Sequence, residues 1–409
     1  MKITPKFRER LMESARLAAE WYTNNQNTEE HPWGGVHESA DFGRYVYEYF
    51  VARQWSRGMG VWGQAVAIMG LFGLERAGKF GGKYARSAVW AGEYLKTLQI
   101  VNPSDAKAHG GFREHNPQSN WSFPRDAATG GMGFCALYRE TGCEEYLERA
   151  RMFARWYHDH GSDKSGWPYG FYDFDTGVGD RGQTKYVRGD WQAGGGLCYY
   201  WLYKLTGEKV WMDYFRQMID PLVGYYEKAI SAPIVPGFHG EVEISYGNDD
   251  FAIIALLAAY RHWREKRMLD ALTGHMKRLW TIADEDGTYP SFAGTFVCTI
   301  NNLEYLQLCR EENLVEDIGS IEKRIIKSAA VGMEQQETRL MDLRAYGGFY
   351  GQSSYGVSRE RIHHRSTGYS LIMNLRIAAG GQLPYYSSYG WETRPSPAFE
   401  VFGNPNHSA

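Results

Sequence analysis

The sequence lacks the features of membrane-bound and disulfide-stabilised proteins. Its five cysteines are an odd number without a CxxC pair, which predicts reduced, buried thiols and excludes a disulfide framework or zinc knuckle. No apolar run approaches the roughly 20 residues that cross a bilayer. The charged, amphipathic start of the chain has no apolar core of a secretory signal. We therefore expect a cytoplasmic protein with no membrane partner.

The sequence also has no excess of charge that would attract a polyanion. The 45 lysines and arginines are balanced by 48 aspartates and glutamates, so we expect no nucleic-acid partner. The glycine-rich strings at 130–133, 194–196 and 347–351 match neither GxxxxGK[ST] nor a GxGxxG that follows a strand. No HxxxH or HExxH spacing occurs. The sequence thus predicts neither a metal nor another cofactor.

Aromatic residues, in contrast, are abundant. The chain has 14 tryptophans and 29 tyrosines, and aromatic residues make up 15% of it. Tryptophan and tyrosine combine a flat apolar face with a polar edge, which suits stacking on sugar rings. Because the chain is nearly neutral, a saccharide is a better candidate ligand than a nucleic acid. We therefore expect an oligosaccharide substrate.

A helical hairpin recurs along the chain. Three stretches each contain the end of an apolar helix, a glycine and the start of an amphipathic helix. Their glycines lie about 65 residues apart, at Gly78, Gly142 and Gly207. Glycine tolerates the left-handed conformation just beyond a helix end. The spacing therefore predicts a repeated helix-turn-helix unit.

Two kinds of helical segment alternate. Six segments are apolar on nearly all sides, as buried helices are; they cover residues 60–76, 126–140, 190–205, 248–262, 292–309 and 365–379. Six others carry one apolar stripe and a charged face; they cover residues 5–24, 81–99, 144–160, 208–228, 264–283 and 314–334. The alternation predicts an all-α fold, an (α/α)6 barrel of six hairpins with an inner and an outer ring. We expect one domain over residues 1–409, with an irregular tail from about 381.

The connections between the helices differ in length. Those that enter the inner helices are long and rich in Trp, Tyr, Arg, Asp and His, whereas those that leave them are short turns. Long loops collected at one end of a compact scaffold are usually functional. The sequence therefore predicts the site at the N-terminal mouth of the inner helices, where the helix dipoles favour an anion.

Arginine recurs at equivalent entrances to the inner helices, as Arg57, Arg125 and Arg188. A guanidinium pairs bidentately with a carboxylate, so this repetition favours an acidic sugar. The alternative is that Arg125 and Arg188 only pair with the acidic residues beside them. The other candidate substrate-binding residues at the mouth are Trp55, Trp121, Trp191, His239, Tyr246, Tyr355, His364 and Arg365.

Four aspartates begin inner helices and are the candidate catalytic residues: Asp126, Asp190, Asp249 and Asp250. Aspartate is also favoured at helix starts because it accepts backbone N–H groups, so capping accounts for some of them. Asp249 and Asp250 precede a wholly apolar helix and project in different directions. One of the two is the predicted general acid, with its pKa raised by apolar surroundings. Asp190 or Asp126 is the expected partner for glycosidic cleavage.

Three strings carry a resemblance to a group of known enzymes. They are QWSRGMGVWGQAVAIMGL at 54–71, RDAATGGMGFCALYRETG at 125–142 and KYVRGDWQAGGGLCYYWLYKLTG at 185–207. With the hairpin pattern, they resemble the (α/α)6-barrel carbohydrate-active enzymes, above all the uronic-acid-processing glycoside hydrolases such as the unsaturated-uronyl hydrolases and the β-glucuronidase-like families. The resemblance implies hydrolysis of a uronic-acid-containing oligosaccharide, with an inner-helix aspartate as acid/base beside aromatic and arginine contacts to the uronate. The similar positions here are the four aspartates named above.

Other functions of the same toroid stay open. A polysaccharide lyase would abstract the proton next to a uronate carboxylate with a Tyr or His, and residues 355–365 contain both. A sugar 2-epimerase would need two facing histidines, for which His239 and His364 are available. A non-catalytic glycan-binding protein would keep its affinity when the aspartates at the mouth become asparagine.

Overall fold

The inner ring consists of six helices in a closed circle. The computed structural model describes residues 1–28, 41–78, 80–180, 190–229, 251–285, 287–289, 292–314, 317–353, 356–379 and 383–388. The inner helices are α2 (Val61–Ala77), α4 (Pro124–Thr141), α6 (Leu197–Thr206), α8 (Ala252–Trp263), α10 (Phe292–Glu311) and α12 (His364–Ala378). Each packs against the next, and α12 packs against α2. The ring is therefore complete.

An outer helix packs behind each inner one. The outer helices are α1 (Pro5–Asn24), α3 (Lys83–Leu98), α5 (Glu144–Asp159), α7 (Lys209–Ala229), α9 (Lys266–Trp280) and α11 (Ile318–Met333). The first outer helix, α1, pairs with the last inner one, α12. The predicted (α/α)6 barrel is thereby confirmed, and most helix ends lie within a few residues of the predicted ones.

Burial explains the two classes of helix. In α2 every residue from 61 to 75 is buried, because the helix is surrounded by its ring neighbours and by α3. In α5 the buried residues follow the helical repeat, at Tyr146, Leu147, Ala150, Phe153 and Ala154, while the opposite face is polar. Apolar surface on all sides thus places a helix in the inner ring, and a single stripe places it outside.

The glycine turns are confirmed at two of the three predicted positions. Gly142 and Gly207 adopt left-handed φ values of 71° and 72° directly after α4 and α6. The prediction is wrong for Gly78, whose φ of -142° is extended. There the left-handed turn comes later, at Gly81 and Gly82, with φ values of 67° and 79°. The α2–α3 connection is consequently longer than a one-glycine turn.

The third inner segment departs from the predicted α-helix at its start. Residues Asp190–Gly196 form a 3₁₀ segment, and α6 begins at Leu197. Three consecutive glycines occupy 194–196. Glycine costs about 1 kcal/mol relative to alanine in an α-helix, so this stretch is a poor α-helix former. The neighbouring side chains pack closely against this stretch, because a Cβ added at Gly195 would lie 2.4 Å from the Tyr157 hydroxyl oxygen and 3.0 Å from the Ala128 Cβ.

Short antiparallel strands cover the mouth, which the helical pattern does not predict. One sheet has the order β2-β1-β7-β6, with β1 Val46–Phe50, β2 Trp55–Gly58, β6 Tyr350–Ser353 and β7 Gly356–His363. The other has the order β3-β4-β5, with β3 Trp121–Ser122, β4 Phe171–Asp173 and β5 Val178–Asp180. All these strands lie in connections that enter inner helices. Their backbone hydrogen bonds join the described parts of these connections.

The opposite end of the barrel is closed by the segment 383–388. Its Tyr386 ring lies inside the inner ring and stacks on Phe251 at a centroid distance of 3.8 Å. Hydrogen bonds join the segment to five inner helices through Glu140, Tyr200, Arg261, Glu304 and Arg376. Among the described residues, this segment thus closes the barrel at the end away from the mouth.

Two sequence expectations concern the whole chain. Cys135, Cys198, Cys298 and Cys309 are buried in inner helices, and Cys143 is half-buried beside α5. Among the described residues, no helix is both long enough and apolar enough to span a bilayer.

Candidate active site

A cavity of about 410 Å³ opens at the mouth, between the N-terminal ends of α2 and α4. Its volume lies in the range of pockets that hold small ligands. The lining residues are Arg44, Tyr47, Arg57, Gly58, Gly60, Trp62, Glu114, His115, Asn116, Phe123 and Asp126. Two predicted site residues, Arg57 and Asp126, thus come together in one pocket. No group of three His, Cys, Asp or Glu side chains among the described residues could hold a metal.

Arg57 lies on the cavity rim because β2 pairs with β1. The register places Arg57 opposite Glu48, and its Nη2 lies 3.1 Å from Glu48 Oε1. Its guanidinium also lies 4.8 Å from the centre of the Tyr47 ring, a favourable cation–π arrangement. The side chain nevertheless remains 57% exposed. It can therefore contact a ligand without leaving its partners.

Glu48 is shared by two arginines. The other Glu48 oxygen, Oε2, accepts a 2.7 Å hydrogen bond from Arg361 of β7. The carboxylate is buried, whereas both guanidinium groups reach solvent. One negative charge thus faces two positive ones. Among the described side chains, this part of the rim therefore has two arginines for one carboxylate.

Arg44 fixes the opposite wall. Its Nε donates to Met59 O at 3.0 Å, and its Nη2 donates to His115 O at 3.0 Å. Its Nη1 lies 3.2 Å from Asp41 Oδ1. The arginine therefore connects the chain before α2 with the loop before α4. Burial, followed by the positive charges of Arg57 and Arg44, lowers the pKa of His115, so the His115 imidazole is neutral at pH 7.

Two carboxyl groups face the cavity beside the start of α4. Asp126 is in the first turn of the helix, and its Oδ1 lies 3.7 Å from Arg125 Nη1. Glu114 comes from the preceding loop and is 5% exposed. Burial raises the pKa of Glu114 well above its usual range, and the negative charge of Asp126 raises it further. The Phe123 N–H, which donates to Glu114 Oε2 at 3.0 Å, acts in the opposite direction.

His364 is the first residue of α12 and is fully buried. Its ring lies edge-on to Trp62 at 5.0 Å and near Tyr47 at 6.3 Å, and both aromatic residues line the cavity. The Tyr22 hydroxyl lies 2.5 Å from His364 Nδ1 and 3.2 Å from the His364 carbonyl oxygen. Nε2 has no hydrogen-bond partner among the described residues. Burial, followed by the charge of Arg365, lowers the pKa of His364 to about 3.

The remaining predicted site residues take different places. Arg125 is buried beneath the lining residue Asp126 rather than in the lining itself, and its Nη1 donates to Thr129 Oγ1 at 3.1 Å. Trp121 stacks with Phe171 at 5.6 Å and lies edge-on to two lining residues, His115 and Phe123. Arg365 is half-buried, and its backbone N–H donates to Nδ1 of His363, the residue that caps α12.

Several predictions concern residues without described side chains. Trp55 lies in β2, and Asp190 and Trp191 lie in the 3₁₀ segment 190–196. Six others lie outside the described residues: Arg188, His239, Tyr246, Asp249, Asp250 and Tyr355. The roles of all nine remain predictions.

The cavity also contains residues that sequence reasoning missed. Arg44, Tyr47, Trp62 and Glu114 line it, yet none of them follows the repeat of the inner-helix entrances. Glu114 reaches the cavity because its backbone carbonyl accepts the Val61 N–H and its N–H donates to the Trp121 carbonyl, each at 3.0 Å. These are long-range contacts of a loop. The signal in the sequence was only that Glu114 lies in one of the long mouth connections.

The fold is shared with enzymes that act on sugars. No family model and no curated protein matches the sequence. Among solved structures, cellobiose 2-epimerase from Bacillus thermoamylovorans B4167 has a TM-score of 0.65 at 12% identity, covering 90% of this chain and 99% of that one. A GH76 α-mannanase from Bacteroides thetaiotaomicron has a TM-score of 0.64 at 13% identity, covering 91% and 96%. An unsaturated glucuronyl hydrolase specific for heparin has a TM-score of 0.60 at 12% identity, covering 93% and 99%.

Proposed function

We propose that this protein is a carbohydrate-processing enzyme, a glycoside hydrolase that cleaves a uronic-acid-containing oligosaccharide. The observation that carries the proposal is the mouth cavity, in which Asp126 at the start of an inner helix faces the same space as the exposed Arg57. The barrel is of a kind found in hydrolases and epimerases of sugars. The cavity supplies the chemistry that the fold alone does not specify.

The aromatic lining supports a sugar ligand. Tyr47, Trp62 and Phe123 bring flat apolar surfaces to a cavity whose other walls are polar. A sugar ring has apolar C–H faces and polar hydroxyl edges, so it matches aromatic faces flanked by hydrogen-bonding groups. His115 and Asn116 provide such groups on the α4 side.

The charge of the rim supports an acidic sugar. Glu48 neutralises only one of the two arginines that it contacts. Burial lowers the pKa of the neighbouring His363 well below its usual range, so this histidine adds no charge of its own at neutral pH. A uronate carboxylate beside Arg57 would balance the surplus charge and form charge-assisted hydrogen bonds.

Asp126 supports cleavage of a glycosidic bond. It stands in the first turn of α4, where the helix dipole and Arg125 favour its ionised form. Glycoside hydrolysis pairs an ionised carboxylate with a protonated one. We retain Asp126, rather than Asp190, as the ionised partner, and Asp249 and Asp250 are the residues from which the sequence predicts the protonated one.

The experiment compares a uronate-terminated oligosaccharide with its neutral analogue. Arg57→Ala should lower kcat/KM for the uronate by about 10- to 100-fold, the value of a charged hydrogen bond, and spare the neutral sugar. Arg53→Ala, a neighbouring arginine outside the cavity, is the matched control. Equal losses on both sugars would show that Arg57 has only a structural role. Absence of any released sugar from a broad uronate panel would refute the hydrolase.

A sugar epimerase is the second candidate, and His364 favours it. When the Tyr22 hydroxyl donates to the His364 carbonyl, it can accept from Nδ1–H, which leaves a lone pair on Nε2. A neutral imidazole of this kind can remove a proton from carbon. His239, its predicted partner, lies outside the described residues.

Isotope exchange separates the two candidates. An epimerase incorporates solvent deuterium into the sugar without cleaving it, and His364→Asn should abolish that exchange. A hydrolase releases a new reducing end and leaves the carbon-bound hydrogens in place. Mass spectrometry of one reaction in deuterium oxide distinguishes these outcomes.

A further inference from the structure

We propose that Glu114 is the general acid of the cleavage reaction and donates its proton to the glycosidic oxygen beside Asp126. This inference rests on the proposed hydrolase function. It replaces the expectation that the acid lies at the start of the α8 segment, and it assigns the role to a residue of the loop before α4.

The backbone holds Glu114 in a fixed position. Its carbonyl accepts the Val61 N–H at the start of α2, and its own N–H donates to Trp121 O in β3. A Cβ added at Gly60 would lie 2.3 Å from the Glu114 carbonyl oxygen, so the close approach requires glycine there. Glu114 is thus fixed between the two inner helices that border the cavity.

One carboxyl oxygen of Glu114 is available to a ligand. Oε2 accepts the Phe123 N–H at 3.0 Å. Oε1 makes no hydrogen bond to the described residues, although Glu114 lines the cavity and is 95% buried. A buried carboxyl group with one oxygen held by the backbone and the other facing a cavity is oriented to donate a proton.

The environment keeps that proton on Glu114. Glu114 is deeply buried, while Asp126 is 25% exposed, contacts Arg125 and stands at a helix N-terminus. Two like charges in one pocket raise the cost of ionising both groups, so the better-solvated Asp126 carries the charge. The two arginines of the cavity form ion pairs with carboxylates other than Glu114, Arg44 with Asp41 and Arg57 with Glu48, which Arg57 shares with Arg361.

The reaction balances with water as the only co-reactant. The Glu114 proton passes to the glycosidic oxygen as the bond from this oxygen to the anomeric carbon breaks, and the leaving sugar takes the electron pair as its new hydroxyl. Water supplies the hydroxyl that ends on the anomeric carbon. The second water proton returns to Glu114, directly or through Asp126.

The test compares two substrates with the same uronate and different leaving groups. Glu114→Gln should lower kcat on the natural oligosaccharide by 10²- to 10⁴-fold. Its loss on a dinitrophenyl uronide should stay within about tenfold, because this leaving group departs without a proton. Asp126→Asn should be impaired on both substrates. The basic limb of the wild-type pH profile should disappear in Glu114→Gln.

Two further variants distinguish a loss of catalysis from a loss of folding. Glu140→Gln alters another buried glutamate at the far end of α4, about 20 Å from the mouth, and should preserve the ratio of the two rates. Glu114→Met, which also lacks the acidic proton, provides a second variant if the amide destabilises the fold. Equal losses on both substrates, or wild-type rates on the oligosaccharide, would overturn the assignment. If the wild-type enzyme cleaves neither substrate, the hydrolase proposal fails first and the role of Glu114 fails with it.

Discussion

His363 and His364 are buried side by side where α12 begins, and arginines lie near both of them. Burial is the main reason that both pKa values are lowered, and nearby arginines act in the same direction. The folded protein therefore excludes protons that the unfolded chain binds at about pH 6.5. Proton binding to the unfolded chain is thus a source of acid sensitivity.

We predict a pH-dependent contribution of His364 to stability. Its folded pKa of about 3 lies below the unfolded value, so its contribution is complete above about pH 6.5 and is lost as the pH falls toward 3. The loss amounts to at most about 1.4 kcal/mol per pH unit, or about 2 kcal/mol at pH 5.

Denaturation curves at pH 7 and pH 5 test this prediction. The difference in unfolding free energy between wild type and His364→Asn should shrink by about 2 kcal/mol at the lower pH. The same substitution at His160, a half-buried residue after α5, serves as a comparison. A difference that does not change with pH would contradict the prediction.

At the level of residues, the sequence predicts a site at the N-terminal ends of the inner helices, but it does not predict which residues line the cavity there. Arg57 and Asp126 were found because they stand at inner-helix entrances, whose spacing is visible in the repeat. Glu114 and Arg44 were missed because their places depend on hydrogen bonds to residues distant in the sequence. Burial of a loop carboxylate has no periodic signature in the sequence.

Among the elements, the loop before β6 connects the mouth to the outer ring. Gly347 has a φ of 84°, and a Cβ there would lie 1.9 Å from the Leu17 carbonyl oxygen of α1. The same loop holds the mouth sheet, since Asp342 accepts the Tyr49 hydroxyl at 2.6 Å and Arg344 donates to Ser56 at 2.8 Å. The position of β1 and β2, and hence of Arg57, depends on it.

Gly347→Ala should therefore lower the free energy of unfolding more than a glycine substitution that only adds backbone strain. Gly207 has a similar φ of 72° but has no atom within 4 Å of an added Cβ, so Gly207→Ala should cost about 1 kcal/mol. Gly347→Ala adds a collision with α1 and should cost more than 3 kcal/mol. Equal costs for the two variants in chemical denaturation would show that the loop can move away from α1.

The helices were predictable and the strands were not. Segments that are apolar on all sides alternate along the chain with segments that have one apolar stripe. This alternation predicts both the inner and the outer ring of helices. The strands are two to eight residues long, and β1 pairs with β7 about 310 residues later. Such pairing depends on the closed ring, which brings distant loops together at the mouth.

For the molecule as a whole, the segment 383–388 contributes to the core although it has no regular structure. Glu304 of α10 forms a fully buried ion pair with Arg376 of α12. The same carboxylate accepts from Ser387 Oγ at 2.8 Å and from the Ser388 N–H at 2.9 Å. One charge pair thus connects two inner helices with the segment that closes the barrel.

Glu304→Gln should lower the free energy of unfolding by about 3–5 kcal/mol, because it leaves the buried Arg376 charge uncompensated. Asp270→Asn, which removes an exposed pair with Lys266 on α9, should change it by less than about 1 kcal/mol. Urea denaturation of both variants measures the difference. A small effect at Glu304 would mean that solvent or another group compensates Arg376.

The pairing of α1 with α12 has a consequence for biosynthesis. About 340 residues separate the end of α1 from the start of α12, and at 5–20 residues per second a ribosome needs roughly 20–70 s to make them. During that time the apolar stripe of α1 has no permanent partner, and the inner helices already made lack a closed ring. The nascent chain therefore exposes apolar surfaces that favour aggregation. The yield of folded protein should depend more on protection by chaperones than on the stability of the finished barrel.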